Sequence, residues 1–156
     1  MKEAANTLVR ILIAKSVAET LLVGVIAVLF FLEAFPPFFH GWGEATPRSI
    51  AGWVVNDAAP WDRVEVQMFV DETFMGNSVA DLSRPDVVAA GWARDQWHGF
   101  EFPSPAVEPG EHEARVYAVH AGIEGTKRTL QLIGDPIRFR RNADGTLVDL
   151  NSRMVR

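Results

Sequence analysis

The 156-residue chain of 17.3 kDa is long enough for one ordinary domain and one membrane segment, and it leaves no room for a second large domain. Its formal net charge of −5 and its 48% apolar content are typical of a folded protein and argue against a wholly disordered chain. The absence of cysteine excludes disulfide frameworks, cysteine nucleophiles and cysteine-ligated metal centres, so the core must be stable without disulfides.

The first element in the chain is a long apolar segment. Residues 20–32 carry no charge, but a helix of that length spans only about 20 Å of the roughly 30 Å of hydrocarbon in a bilayer. Upstream, Leu8–Ala18 is apolar except for Arg10 and Lys15, whose long side chains can reach the headgroups. We therefore predict one continuous transmembrane helix from Ala4 to Ala34.

Aromatic residues surround the end of this helix. Pro36 and Pro37 prevent the helix from continuing, and Glu33 is expected at the far membrane interface. We expect the neighbouring aromatic side chains to form a belt at headgroup depth. These side chains are Phe35, Phe38, Phe39 and Trp42.

A cleaved signal peptide is the alternative to a permanent anchor. Cleavage needs a small-x-small site after the apolar run, whereas the sequence reads LEA and then FPPFF. Lys2, Arg10 and Lys15 precede the uncharged residues 20–32, and the next Lys or Arg is Arg48. The positive-inside rule therefore predicts a cytoplasmic N-terminus and a periplasmic C-terminal part, anchored in a bacterial inner membrane.

Glu19 is a charged residue about one turn inside the near boundary of the predicted span. Lys15 lies four residues earlier on the same helical face and can pair with it. A partner helix would also shelter this carboxylate. We therefore treat Glu19 as a candidate contact with other integral membrane subunits.

After a predicted linker at residues 43–48, the pattern changes to strands. RVEVQMFVD alternates Val64, Val66, Met68 and Val70 with polar residues, and Asp71-Glu72 starts a hairpin in which Gly76 marks a bulge. The predicted strand segments are 49–55, 63–71, 73–81, 98–102, 112–120, 128–134, 136–140 and 146–150. One or two helical turns are expected within 84–95. Seven or eight strands predict a mainly β fold, an antiparallel β-sandwich.

The run VEPGEHEARVYAV resembles the Pro-Gly turn and alternating strand of fibronectin type III and bacterial immunoglobulin-like domains. GWVVND, VEVQMFVDETFMG, ADLSRPDV and HGFEF resemble, in order, a bacterial envelope variant of that sandwich, with Glu72 at a usual glycine position. The likeness covers residues 49–140 and implies a domain that binds, spaces or braces, without a catalytic residue.

We predict three regions. They are 1–42, the anchor and aromatic belt; 46–141, the sandwich; and 142–156, a terminal hairpin strand and basic tail.

Catalytic and metal-binding patterns are weak. The histidines lack metal-ligand spacing, and the serines lie in no nucleophile motif. These residues are His40, His98, His112 and His120, and Ser78, Ser83 and Ser104. RRNADGTLVD superficially resembles a calcium loop, but Arg140 would occupy the first ligand position, and a hairpin turn explains it. We predict no catalytic residue, no metal and no cofactor.

Tryptophans and arginines supply the remaining candidate contacts. Trp53 is expected in the core, whereas Trp42, Trp61, Trp92 and Trp97 are expected to contact protein or carbohydrate. The region 138–156 holds five Arg and two Asp and is therefore basic. Arg140 and Arg141 are candidates for contact with lipid headgroups or an acidic partner. The alternative is that they belong to a solvated tail. Nucleic acid is not a predicted partner.

Three functions fit these features. The first is a non-catalytic accessory subunit of an inner-membrane complex, such as a photosynthetic, respiratory or export assembly, in contact with membrane protein subunits and the lipid bilayer. The second is a membrane-tethered carbohydrate or cell-wall binding module. An enzyme ranks last, because no nucleophile, metal set or cofactor motif is recognisable.

Overall fold

The computed structural model describes residues 2–34, 39–121 and 128–151, with helix side chains from residue 6 to residue 31. The chain divides into two compact units, residues 1–35 and 36–156, and each is described by itself. The expectations for Glu33, Phe35, Phe38 and the last residues, 152–156, lie outside the described side chains.

The first unit is the helix α1, Lys2–Ala34. Within it, Asn6–Phe31 has a mean hydropathy of 2.1, and all its side chains are exposed. These 26 residues span about 39 Å, enough to cross a bilayer. Lys15 Nζ lies 3.6 Å from Glu19 Oε1, so the predicted pair is present. The helix has the length and composition of a membrane anchor or a signal sequence.

The second unit is a sandwich of two antiparallel sheets. In chain order its strands are β1 (Phe39–Ala45), β2 (Ser49–Asn56), β3 (Glu65–Val70), β4 (Thr73–Val79), β5 (Leu82–Ser83), β6 (Trp97–Pro103), β7 (Gly110–Ala121), β8 (Arg128–Leu132), β9 (Ile137–Arg141) and β10 (Leu147–Asp149). A short helix, α2 (Pro85–Ala89), lies where helical turns were predicted. The smaller sheet has the order β1-β2-β6-β5, and the larger one β10-β9-β7-β3-β4, with β8 also paired to β7.

Apart from β10, which lies beyond β9, these orders match an immunoglobulin-type sandwich, with strands A-B-E-D in one sheet and C′-C-F-G in the other. β8 and β9 share one edge of β7: Leu132 lies opposite Tyr117 and Ile137 opposite Ala114. They therefore form two halves of one interrupted strand. The predicted mainly β sandwich is confirmed, and β1 and β5 are strands beyond the eight predicted segments.

β1 corrects the predicted boundary between anchor and sandwich. Residues assigned to the aromatic belt and the linker instead pair with β2 over seven positions, and Phe39 is only 4% exposed in the core. A Cβ atom on Gly41 would lie 2.6 Å from Ile133 Cγ2, so glycine is required for this close packing. The described part of the sandwich therefore begins at Phe39 and not at residue 46.

The core confirms the period-two pattern of the central strands. The inward residues of β3 and β7 are buried between the sheets together with Phe100 and Phe139. They are Val66, Met68, Val70, Ala114, Val116 and Ala118. The expectation for Trp53 is wrong. Ile50 and Val54 face the core, so Trp53, at odd spacing from Ile50 and next to Val54, points to the outer face and is half-buried.

The β3–β4 hairpin is present where the sequence predicted it. Asp71 and Glu72 have φ values of 46° and 68°, the positive values that a type I′ turn requires. The register shifts between Met68 and Phe69, opposite Met75, so the bulge lies one residue before Gly76. Gly76–Val79 then pairs regularly with β3.

Candidate interaction surfaces

Three tryptophans converge on the outer face of the smaller sheet. Trp42 on β1 lies directly opposite Trp53 on β2. Trp92, which follows α2, places its ring centroid 6.3 Å from that of Trp53, with 33° between the planes. His40 completes this group, which we call the tryptophan surface (His40, Trp42, Trp53 and Trp92). The sequence predicted contact roles for Trp42 and Trp92 but not that both lie beside Trp53, which depends on strand register and on the path of the segment after α2.

His40 fixes the tryptophan surface to the segments around it. Its Nδ1 lies 2.6 Å from Asp57 Oδ1, and its Nε2 lies 3.1 Å from the carbonyl oxygen of Trp92. The imidazole ring meets Trp53 edge-on at 5.4 Å between centroids. One side chain therefore connects β1, the segment after β2 and the segment after α2.

Asp95 connects the two segments that carry the other exposed tryptophans. It accepts hydrogen bonds from Arg63 Nη1 and Nη2 at 3.2 and 3.1 Å, and from the Trp97 amide at 2.9 Å. Behind it lies His98, which is fully buried with Nε2 3.2 Å from Asp95 Oδ1. Burial lowers the pKa of His98, although Asp95 opposes this shift. The segment carrying Trp61 is thus held to the segment carrying Trp97.

A second surface lies on the outer face of the larger sheet. It is a groove of about 670 Å³, which we call the aromatic groove. Its lining residues are Phe69, Asp71, Glu72, Glu113, Arg115, Tyr117 and Leu130. The rings of Phe69 and Tyr117 meet at 89° with centroids 5.6 Å apart, and Phe74 contacts Phe69 at 5.4 Å. The sequence analysis missed this site, although outward-facing aromatic residues in alternating strands are a signal that could have found it.

Ion pairs border the aromatic groove. Glu113 contacts Arg115 at 2.7 Å and Arg138 at 3.6 Å. Arg140 pairs with Glu111, and Arg141 is half-buried. Both arginines lie on β9, and their contact with lipid headgroups or an acidic partner stays a prediction.

Asp71 and His112 form a close pair at the end of the β3–β4 hairpin. His112 Nδ1 lies 2.6 Å from Asp71 Oδ2, and the Glu113 amide donates to Asp71 Oδ1 at 3.0 Å. The hydrogen bond from His112 lowers the pKa of Asp71, and the same contact raises the pKa of His112. This pair attaches the hairpin turn to β7.

The predicted contact residues separate into distinct groups. Trp42, Trp61, Trp92 and Trp97 are between 45% and 62% exposed, whereas Phe39 is buried. Glu19 lies on the exposed face of α1 beside Lys15. Within residues 2–34, 39–121 and 128–151, no group of three or more His, Asp or Glu side chains is placed to hold a metal ion.

Comparison with known proteins gives no family for this chain. A scan against protein-family models, a search of curated proteins and a search of solved structures found no match. What the chain does is therefore inferred from its apolar helix, its tryptophan surface and its aromatic groove.

Proposed function

We propose that this chain is a non-catalytic subunit of a bacterial inner-membrane complex, anchored by α1 and contacting partner proteins on the periplasmic side through its tryptophans. The observation that carries the proposal is the exposure of four tryptophans on segments held firmly in place. Tryptophan is enriched at the centres of protein interfaces, where a large rigid side chain fills a pocket on the partner.

The exposed area is large enough to matter for binding. Trp92 is 59% exposed. A tryptophan buries roughly 200 Å² at about 25 cal/mol per Å², so covering the exposed part of Trp92 would contribute about 3 kcal/mol before the costs of association. His40 and Trp53 already hold the Trp92 ring, so little side-chain entropy remains to be lost.

The helix supports the same proposal. From Leu21 to Phe31 its side chains are apolar on every side of the helix and exposed, and such a helix needs lipid or other helices around it. The Lys15–Glu19 pair lies within the candidate span, where charged groups are costly and commonly face partner helices. Photosynthetic, respiratory and export complexes all contain suitable partner helices. The fibronectin-like and immunoglobulin-like resemblance agrees with a bracing role.

Affinity purification in a mild detergent tests the proposal. The full chain, tagged and expressed in its source cells, should bring down the same membrane subunits in repeated preparations. Trp92→Ala and Trp61→Ala should reduce their recovery, and Glu19→Leu should weaken helix association. Phe74→Ala is the matched control, because Phe74 is 52% exposed but lies on the larger sheet. Recovery of no partner subunit in any mild detergent would overturn the proposal.

A second candidate function, carbohydrate or cell-wall binding, is favoured by the aromatic groove. Here Phe69 and Tyr117 lie beside Asp71, Glu72 and Glu113, so apolar ring surface and hydroxyl-binding carboxylates line one groove. Peptidoglycan pull-down with the full chain, in a detergent without a sugar headgroup, tests this function. Tyr117→Ala should abolish retention and Trp92→Ala should preserve it, whereas no retention of the unaltered chain would exclude cell-wall binding.

A further inference from the structure

The edges of the two sheets differ in how they are protected. An edge strand presents unpaired N–H and C=O groups that can pair with another strand, and proteins commonly block them with charges, prolines, short strands or covering side chains. β1 is covered at both ends. The Gln131 side chain donates to the carbonyl oxygen of Phe39 at 2.7 Å and accepts from its amide at 3.2 Å, and the amide of Ala45 donates to Asp149 at 3.1 Å.

Other edges are short or charged. β5 has two residues and is followed at once by Arg84 and Pro85, and β10 has three residues. β8 begins with Arg128, which pairs with Glu65 on β3, and it turns Gln131 toward β1. These features leave little uninterrupted backbone for an incoming strand.

β4 differs from the other described edge strands. It is seven residues long, with the sequence TFMGNSV, and contains neither a charged residue nor a proline. It ends the larger sheet, and Phe74 and Val79 are 52% and 45% exposed. The bulge at Met75 affects only its first half, so Gly76–Val79 pairs regularly with β3, and the carbonyl oxygen of Val79 also accepts from the amide of Asp81 at 3.0 Å.

We propose that β4 pairs with β4 of a second copy of this chain, antiparallel and related by a two-fold axis perpendicular to the sheet. A strand without charged residues can pair with itself without placing like charges opposite each other. The joined sheet would be ten strands across, within the usual limit for an open twisted sheet.

The acidic residues that flank β4 select the register. A two-fold axis perpendicular to the sheet keeps the outer faces of the two copies on the same side. Residues directly opposite each other must then point to the same face, so one residue of β4 lies opposite the same residue of the copy. An axis at Asn77 would place Asp81 opposite Thr73 of the copy, one residue from Glu72. An axis at Ser78 separates Asp81 from Glu72 of the copy by three residues, about 10 Å along the strand, where salt screens the repulsion. Of the two residues inside the regular segment Gly76–Val79, Ser78 is therefore the one that meets its own copy.

Single-cysteine cross-linking tests this pairing without background, because the chain has no cysteine. The full chain is used in detergent and in membranes, with Ser78→Cys, Asn77→Cys and a control on the smaller sheet, Ser83→Cys. On the Ser78 axis, two copies of residue 78 lie directly opposite at about 5 Å between Cα atoms. Two copies of residue 77 lie about 8 Å apart, beyond the reach of a disulfide.

The expected result is severalfold more disulfide-linked dimer for Ser78→Cys than for Asn77→Cys or Ser83→Cys after mild oxidation. Native mass spectrometry of the unaltered chain should show a concentration-dependent dimer. A monomer at every concentration would refute the proposal, as would a dimer whose cross-linking at Ser78 is no higher than at Ser83. Recovery of a different protein cross-linked to Ser78→Cys would assign the β4 edge to that partner and would also overturn self-pairing.

Discussion

Replacing Gln131 by alanine should loosen the start of β1 and destabilise the sandwich. The Gln131 amide makes two hydrogen bonds to the backbone of Phe39, whose side chain is 4% exposed. Each bond contributes about 1 kcal/mol net, and leaving the partly buried backbone groups of Phe39 unpaired adds a desolvation cost. We therefore expect Gln131→Ala to lower the free energy of unfolding by about 2–3 kcal/mol.

The assay follows from the positions of the five tryptophans, which all lie between residues 42 and 97. Denaturant unfolding of the full chain in detergent, followed by tryptophan fluorescence, therefore reports on the sandwich and not on α1. Gln67→Ala is the matched control, because Gln67 lies on the outer face of β3, and its cost should stay below about 0.5 kcal/mol. If Gln131→Ala and Gln67→Ala unfold at the same denaturant concentration, the two bonds to Phe39 do not stabilise the fold as argued.

Three further perturbations test other parts of the sandwich. Asp71→Asn removes the charge partner of His112, whose pKa is raised from 6.5, while the pKa of Asp71 is lowered from 3.8. The wild-type chain should therefore exceed the variant in free energy of unfolding most strongly between pH 3.8 and pH 6.5. This difference should shrink as the pH rises through the raised pKa of His112 or falls through the lowered pKa of Asp71. An advantage that stays constant from pH 3 to pH 9 would contradict this. Gly52→Ala should cost about 1–3 kcal/mol, because its Cβ would lie 2.6 Å from Phe100 Cζ, whereas Gly24→Ala, with no neighbour within 4 Å, should leave sandwich unfolding unchanged. Phe100→Ala should cost about 3–5 kcal/mol in the same denaturant assay, since the ring is 1% exposed, and a loss below 1 kcal/mol would show that the core closes around the cavity.

Strands with one buried face could be predicted from sequence, and strands without a clear period could not. β3 alternates Val66, Met68 and Val70 with outward-facing residues, so the presence of a strand and its inward face follow from the pattern alone. β2 runs through consecutive apolar residues, so the sequence could not show that Trp53 faces outward. β1 was taken for part of a membrane belt, because its inward positions include Gly41, which carries no apolar side chain to mark the face.

The candidate surfaces were less predictable than the fold. Individual exposed tryptophans could be named, but the approach of Trp92 to Trp53 depends on where a loop returns over the sheet. The His40–Asp57 and Asp95–Arg63 contacts join residues from separate segments, and composition carries no record of such long-range pairing. The aromatic groove likewise needs Phe69 and Tyr117 in register across two neighbouring strands.

The order of elements along the chain has a mechanical consequence. β1 is the first described strand after α1, so tension along the chain from the helix reaches the described part of the sandwich at Phe39. A pull directed along β1 would load its seven-residue ladder with β2 in shear, so that many hydrogen bonds share the force at once. A pull perpendicular to β1 would separate it from β2 one residue at a time, starting at Phe39. The two hydrogen bonds between the Gln131 side chain and the Phe39 backbone must then break before the hydrogen bonds between β1 and β2.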